Sequence, residues 1–470
     1  MIRLYSTLGR AMVDLETRDE GKVGFYVCGP TVQSAPHIGH GRSVVAFDAI
    51  RRYLIWRGYE VRFVRNVTDI EDKIIEKAAE AGEDVPAYAR KMEERFAEAY
   101  RKLGALDPDV EPRATENIPQ MHELIQILLD KGFAYQAGDD VYFSVRKDED
   151  YGRLSGRDPD EMRTGTRIEP NEAKHDPLDF ALWKGAKPGE PYWDSPWGPG
   201  RPGWHIECSA MARRFLGEDF DIHGGGADLI FPHHENEIAQ SESATGERFA
   251  RYWLHNGMVN LDGAKMAKST GNVVDLETAI AKYGGMPLRL LFLRAHYRAP
   301  IEYSAELVEE AAEAYRRIVR FLERARPEGA DPDPAYLDRF REAMDGDFGT
   351  PEAVAVVFDA VREGNRLLDA GEDASHIAAT VAELIEVLGI TVEAASDDAG
   401  LDREAVESIA RDFDVAPGSD VIETLDRLLE ARTAARENRD FQTADAIRDR
   451  LAAVGIAVED KADGSRWVRT

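Results

Sequence analysis

The stretch GFYVCGPTVQSAPHIGHGRSVVAFDAIRRYLIWRGYEVRFVRNV, Gly24 to Val67, decides the fold. Gly24 to Cys28 is an apolar run that reads as a short buried strand, broken by Gly29-Pro30. Val44, Val45, Phe47, Ile50, Tyr53 and Leu54 recur at helical spacing, which predicts a helix from about Arg42 to Trp56, closed by Gly58. Val61 to Val67 reads as a second strand. Strand, helix and strand in this order form a βαβ unit, whose right-handed crossover points to a parallel, Rossmann-type α/β sheet.

Outward from this unit, the text from Asp107 to Gly203 changes character. Its later part is dense in Pro, Gly and Trp turns, which marks an insertion folded over the sheet. Asp219 to His223 resumes a strand, Gly224-Gly225-Gly226 reads as a turn, and a helix is expected from about Pro232. Tyr252 to Val259 is read as another strand, followed by a loop from Asp262 to Asn272. Beyond Tyr303 the pattern is helical: Ala305 to Arg326, ended by Pro327, then a helix opening with Thr350 as N-cap and Pro351 first. Helices near Val421–Arg436 and Thr443–Ala453 and a strand around Trp467 complete the chain. This divides the protein into a catalytic domain in two halves (1–106 and 204–303), an insertion at 107–203, a helical bundle at 304–395 and a small C-terminal domain at 396–470.

The 470 residues are enough for about three domains. No apolar run spans a membrane. Met1 to Arg10 lacks an apolar segment with a cleavage site, so an unprocessed cytoplasmic protein is expected. Two cysteines, Cys28 and Cys208, exclude a disulfide framework and by themselves read as buried thiols. The net charge of −29 is the opposite of an ordinary nucleic-acid binder. About fourteen lysines stand against some forty-five arginines, and acids outnumber both together. That balance reads as a surface adapted to very high salt, where self-repulsion is screened, and it does not exclude RNA.

Three constellations carry chemistry. His37-Ile38-Gly39-His40 follows a strand and opens a helix, where two imidazoles and the positive helix end can hold phosphates and Gly39 lets a nucleotide come close. Lys265-Met266-Ala267-Lys268-Ser269 puts two lysines on a glycine-flanked loop, able to neutralise charge that builds on a leaving pyrophosphate. Cys28, Cys208, His233 and Glu237 offer two thiolates, an imidazole and a carboxylate. The last two lie four apart on one helix face, which suits zinc. The spacing is not C-x-x-C, so buried thiols beside a solvated acidic helix remain the alternative.

The first two motifs resemble, in order, the ATP signatures of class I aminoacyl-tRNA synthetases, with Ala267 where serine is usual. The strings C-G-P-T-V, H-I-G-H-G-R, R-N-V-T-D-I-E-D-K-I, P-G-W-H-I-E-C-S-A-M and H-G-G-G-A-D-L-I-F-P-H-H-E-N-E-I-A-Q resemble the cysteinyl-tRNA synthetase family over most of residues 1 to 300. D-F-G-T-P-E-A and D-F-Q-T-A-D-A-I-R-D-R-L are similar to its tRNA-binding part. Gln33-Ser34 departs from the Tyr-Asp of many members.

The resemblance implies a cysteine–tRNA ligase that uses ATP, with Mg2+, and one Zn2+ on Cys28, Cys208, His233 and Glu237. It implies that His37, His40, Lys265 and Lys268 are catalytic. Gly39, His40, Asp228 and Lys268 would bind ATP, and Gly29, Asn66, Thr68 and Trp204 the cysteine. The partners implied are L-cysteine, ATP and tRNA(Cys), with no membrane and a monomeric state. Zinc answers a physical problem: an apolar pocket separates cysteine from serine poorly, whereas a soft metal prefers thiolate to alcohol. A cysteine ligase with a small amine acceptor shares these residues and differs in the C-terminal region. A zinc-stabilised RNA-binding protein without catalysis is the reading from another class, and two nearly intact ATP motifs oppose it. On the helix near Val421–Arg436, Arg432 and Arg436 stand one turn apart with Arg439 behind, a stripe suited to phosphates.

Overall fold

A computed structural model describes residues 1–161, 174–261, 264–265, 273–327, 329–392, 402–418, 420–461 and 464–469. The chain separates into two compact units, 1–391 and 392–470. In the first, β1 (Arg3–Ser6) and β2 (Ala11–Asp14) form a hairpin. β3 (Lys22–Val27), α1 (Ile38–Trp56) and β4 (Glu60–Arg65) form the βαβ unit. With β9 (Phe220–Gly226) and β10 (Ala250–Asn256) they make a parallel sheet in the order β10-β9-β3-β4. All six apolar positions that predicted α1 are buried. The helix starts four residues earlier than its apolar spacing indicates, because His37 already serves as its N-cap in extended conformation.

Topology places the site. The chain leaves β3 towards β4 on one side and, after the insertion, returns to β9 on the other. Strand order therefore reverses between β3 and β9, and the carboxyl ends of such strands frame the binding crevice of open α/β sheets. Cys28 follows β3, Asn66 and Thr68 follow β4, and Asp228 follows β9.

The glycine triplet corrects the sequence reading: it is not a turn but the end of β9. A Cβ on Gly224 would lie 2.6 Å from the Phe47 ring of α1, and one on Gly225 2.6 Å from the His234 ring. The glycines thus serve close packing of helices on the strand. Similarly, the strand expected to run to Val259 is broken at Gly257, where a Cβ would lie 2.2 Å from the Ala299 carbonyl oxygen. The remainder becomes β11 (Val259–Leu261), paired with β12 (Ala264–Lys265) and, in parallel, with β13 (Ile301–Tyr303).

Within 107–203, helix Ile118–Asp130 packs on an antiparallel sheet of β5 (Ala134–Ala137), β6 (Asp140–Phe143), β7 (Phe180–Gly185) and β8 (Gly200–Pro202). Met121, Leu124, Phe143 and Trp183 share one core with Ile206, Ala210 and Ala239. The insertion is thus anchored on helices Trp204–Leu216 and Glu235–Thr245, which carry two of the four predicted metal ligands, Cys208 and Glu237, with a third, His233, just ahead of the second helix. Helices Ala305–Ala325, Pro334–Asp345, Thr350–Asp369 and Ser375–Val387 follow. Thr350 lies inside its helix, and Gly349 takes the N-cap position assigned to it from sequence.

The second unit packs helices Arg403–Asp412, Val421–Glu437 and Phe441–Ala452 with a hairpin of β14 (Ile456–Lys461) and β15 (Gly464–Arg469). Here the arginine stripe is corrected. Arg432 is only 3% exposed and donates to Ser465 Oγ at 2.9 Å, so it ties its helix to the hairpin. Arg436 and Arg439 are exposed.

Candidate functional site

At the carboxyl ends of the sheet lies a cavity of about 480 Å³. One end of it is a cluster of buried donors. Cys28 arrives from β3, Cys208 from helix Trp204–Leu216, and His233 and Glu237 from a π-helical turn, Ile230–His234, running into helix Glu235–Thr245. Ligand atoms of all four lie within 4.8 Å of one another. The thiols are 3.5 Å apart, Glu237 Oε1 is 3.2 Å from Cys28 Sγ, and His233 Nε2 is 3.1 Å from the same oxygen. The fold therefore assembles the set that spacing alone left open.

The electrostatics suit a cation. Burial pushes the Cys28 thiol well up, and neighbouring Cys208 and Glu237 add to this. Burial also works against ionising Cys208, but the hydrogen bond from Cys28 and the charge on His233 outweigh it and bring that thiol to about 6. For His233 burial again opposes charge, yet Glu237 and Cys208 raise it to about 10. Glu237 stays ionised against its burial through His223 and His233. Two thiols, an imidazole and a carboxylate, with negative charge gathered in a buried pocket, fit the donor chemistry of zinc; binding would displace the protons on Cys28 and His233.

Residues not singled out from sequence stand behind the ligands. His223 Nε2 lies 2.8 Å from Glu237 Oε2, and His205 Nδ1 lies 2.9 Å from His233 Nδ1. Burial keeps His205 neutral, so it accepts from His233 and turns the other ring nitrogen of His233 toward the cluster. A neighbouring buried pair, His234 and His255 at 2.8 Å, ends on Thr7 Oγ1 at 2.7 Å. A signal existed for one of them: His205 precedes Cys208 by three residues on a helix, hence on the same face. His223 had none: it reaches Glu237 from strand β9 to helix Glu235–Thr245, a pairing no periodicity shows.

The cavity wall beside the cluster holds Gly29, Asn66, Thr68 and Trp204. Gly29 donates to Asn66 Oδ1 at 2.9 Å, and a Cβ there would lie 1.6 Å from the Asn66 carbonyl oxygen, so no other residue fits. Thr68 Oγ1 donates to the buried Glu207 at 2.8 Å. The Trp204 indole stacks on His233, centroids 4.1 Å apart. At the other end, His37, Gly39, His40 and Asp228 line the wall. The rings of His37 and His40 stack at 3.6 Å, and His37 N donates to His40 Nδ1.

The two lysines are positioned only in part. Lys268 lies outside the described residues, and only the backbone of Lys265 is described, in β12. The residues that follow the loop are bonded to the histidine motif: Ile38 N donates to Val274 O and Leu276 N to Pro36 O, both at 3.0 Å. Backbone pairing thus sets Val274 and Leu276, just past the lysine loop, against the start of α1.

This fold is that of class I synthetases. A Mycobacterium tuberculosis methionyl-tRNA synthetase in complex with methionyl-adenylate superposes with a TM-score of 0.57 over 86% of this chain and 96% of that one, at 19% identity. An Agrobacterium radiobacter leucyl enzyme gives 0.57 over 80% and 84%, at 12%. Residues 14–313 match the tRNA synthetases class I (C) catalytic domain, 339–393 the DALR domain, and 419–467 the cysteinyl-tRNA ligase anticodon binding domain. The cysteine–tRNA ligase of Halorhodospira halophila is 50% identical over 100% of both chains, and that of Pseudomonas putida 47% identical over 99% of both. The chain belongs to the cysteine–tRNA ligase family.

Proposed function

We propose that this one cavity carries both steps by which cysteine is joined to tRNA, with zinc on Cys28, Cys208, His233 and Glu237 selecting the substrate. The observation that carries the reading is the convergence of those four donors, of which Cys28, Cys208 and His233 line the same cavity as His37, His40 and Asp228. In the first step a cysteine carboxylate oxygen attacks the α-phosphorus of ATP and pyrophosphate leaves. In the second a hydroxyl of the terminal tRNA ribose attacks the acyl carbon and AMP leaves.

Zinc, when bound, supplies a soft Lewis acid that takes a thiolate and discriminates against a hydroxyl. The chain's own residues do the rest. His223 and His205 orient the carboxylate and imidazole ligands. Gly29, Asn66, Thr68 and Trp204 enclose the amino acid so that its carboxylate faces the nucleotide. His37 and His40, at the positive end of α1, hold phosphates of the Mg2+-bound nucleotide, and Asp228 accepts from its ribose or from the substrate amine. Lys265 and Lys268 stabilise charge that develops on the leaving pyrophosphate. Catalysis is then positioning plus electrostatics, and selection at the metal removes the need for an editing site.

The test is charging of purified tRNA(Cys) with cysteine against serine, alongside cysteine-dependent exchange of pyrophosphate into ATP. The expected result is exchange and charging with cysteine and neither with serine. Exchange without charging would support the small-amine acceptor, which the match of residues 419–467 to an anticodon-binding domain disfavours.

A further inference from the structure

The motif D-F-G-T-P-E-A, Asp347 to Ala353, is not among the residues lining the cavity, yet its first residue is a buried carboxylate bonded to both halves of the sheet domain, to Tyr5 on one side and to Tyr297 and Arg298 on the other. Asp347 is 4% exposed. Its Oδ1 accepts from Tyr5 N at 2.8 Å and from the Tyr297 hydroxyl at 3.0 Å. Its Oδ2 accepts from Arg298 Nε at 2.7 Å and pairs with a second guanidinium nitrogen at 2.5 Å. Its backbone is engaged as well: Asp347 N donates to Arg3 O at 2.8 Å, and the Asp347 carbonyl lies 2.9 Å from His296 Nε2.

The backbone at this point is costly. Asp347 and Phe348 take φ of 60° and 55° in succession. Asp enters that region more readily than most residues, but a bulky Phe does not, so the surroundings must over-determine the turn. They do so through the bonds above and through Phe348, which is fully buried and edge-on to Tyr53 and Tyr297. The turn ends directly in helix Thr350–Asp369.

What Asp347 holds leads to the cavity. Tyr297 accepts from Gly257 N at 2.7 Å through its carbonyl, and Ile301 N donates to Met258 O at 3.0 Å, where β13 joins β11. Gly257, Met258 and Val259 line the cavity, and β11 leads into the lysine loop. From the other side Arg42 of α1 donates to the carbonyls of Ala295 and His296 at 3.1 and 2.6 Å. Segment 295–298 is therefore clamped between α1 and the Asp347 turn, and it buttresses the wall from which the lysine loop departs. Two hydrogen-bonded steps separate Asp347 from that wall.

We propose that Asp347 is a positioning residue for ATP use: it couples the helix Thr350–Asp369 to the Gly257–Val259 wall through Tyr297 and Arg298. The inference rests on the reading above that ATP occupies this part of the cavity. It acts on the nucleotide half and not on the zinc cluster, because its contacts reach β11 and β13 and none of the four ligands.

The test uses the full-length, zinc-loaded chain with Asp347→Asn, Tyr297→Phe and Arg298→Lys. Asp347→Asn keeps the shape and loses the charge-assisted pair with Arg298. It is expected to lower kcat/KM for ATP in pyrophosphate exchange about tenfold, with the KM for cysteine and the zinc content unchanged. Tyr297→Phe removes one bond and shows the same pattern to a smaller degree; Arg298→Lys keeps a charge opposite Asp347 and is expected to lose less than Asp347→Asn. Should Asp347→Asn fail to fold, the other two variants carry the comparison. Parallel losses in ATP use, cysteine KM and zinc content would reduce Asp347 to a general structural role and overturn the proposal, as would ATP kinetics in Asp347→Asn equal to those of an exchange-active wild type. A wild type without any cysteine-dependent exchange would overturn the reading of the cavity as well.

Discussion

At the scale of single residues, the cluster joins ligands to their supports. Cys28, Cys208, His233 and Glu237 meet within 4.8 Å, and His205 and His223 lie within 2.9 Å of two of them. Cys28→Ser or His233→Ala is expected to lower zinc content and cysteine activation together. A variant that loses zinc yet activates cysteine normally would sink the role of the metal in selection. His205→Ala and His223→Ala leave all four ligands in place, so they should weaken zinc about 10- to 100-fold, the usual cost of removing a partner behind a ligand. Competition with a chromophoric chelator measures this without reference to activity. Affinity equal to the wild type in both would show that packing alone orients His233 and Glu237.

At the scale of elements, β9 is where pattern reading and packing part company. Three successive glycines read as a turn because glycine weakens a strand. In the sheet β9 lies between β3 and β10, and α1 and the segment carrying His234 press on it so closely that side chains are excluded. Gly224→Ala would set a methyl 2.6 Å from the Phe47 ring, which is 1% exposed and has no room to retreat. The expected cost is about 1–3 kcal/mol, as for other overpacked cores. Urea unfolding at fixed zinc reads it directly, and a midpoint equal to the wild type would mean that α1 can shift. The same contact sets α1 and its histidines over the sheet, so the variant should also lose activity in proportion to the displacement of that helix.

At the scale of the whole molecule, the cavity, the cluster of four donors and both described flanks of the lysine loop belong to the unit 1–391. A chain ending at residue 391 is expected to keep zinc and cysteine-dependent exchange while losing most of its kcat/KM for tRNA charging. Equal loss of both activities would show that residues 392–470 support the catalytic unit. The charge of −29 belongs to this scale too. We infer that the surface is built for high salt: the Debye length is about 30 Å at 0.01 M and about 3 Å at 1 M, so carboxylates that repel one another in dilute buffer are screened in concentrated salt. Structure and charging should therefore persist in molar potassium chloride and decline on desalting, although salt opposes phosphate contacts. Circular dichroism and charging across a potassium chloride series decide this, and full activity at about 0.05 M salt would reject it.

The sequence by itself determined what is written in local periodicity and in long specific strings: the βαβ unit, the late helices, the two ATP motifs, the family, and the identity of the four zinc-ligand candidates. Helical spacing and motif order survive without knowledge of neighbours, because each depends on residues a few positions apart. Only the tertiary structure decided what depends on approach between distant segments. It turned the glycine triplet from a turn into a strand, since Phe47, which packs on Gly224, is far away in sequence. It withdrew Arg432 from the phosphate stripe, since Ser465 lies on a hairpin that no periodicity connects to it. It brought Cys28 and Cys208, 180 positions apart, to 3.5 Å, and set His223 behind Glu237. It also joined Asp347 to Tyr297 and Arg298. A carboxylate buried among such donors is stable only where the fold delivers them, and no single stretch of sequence contains that information.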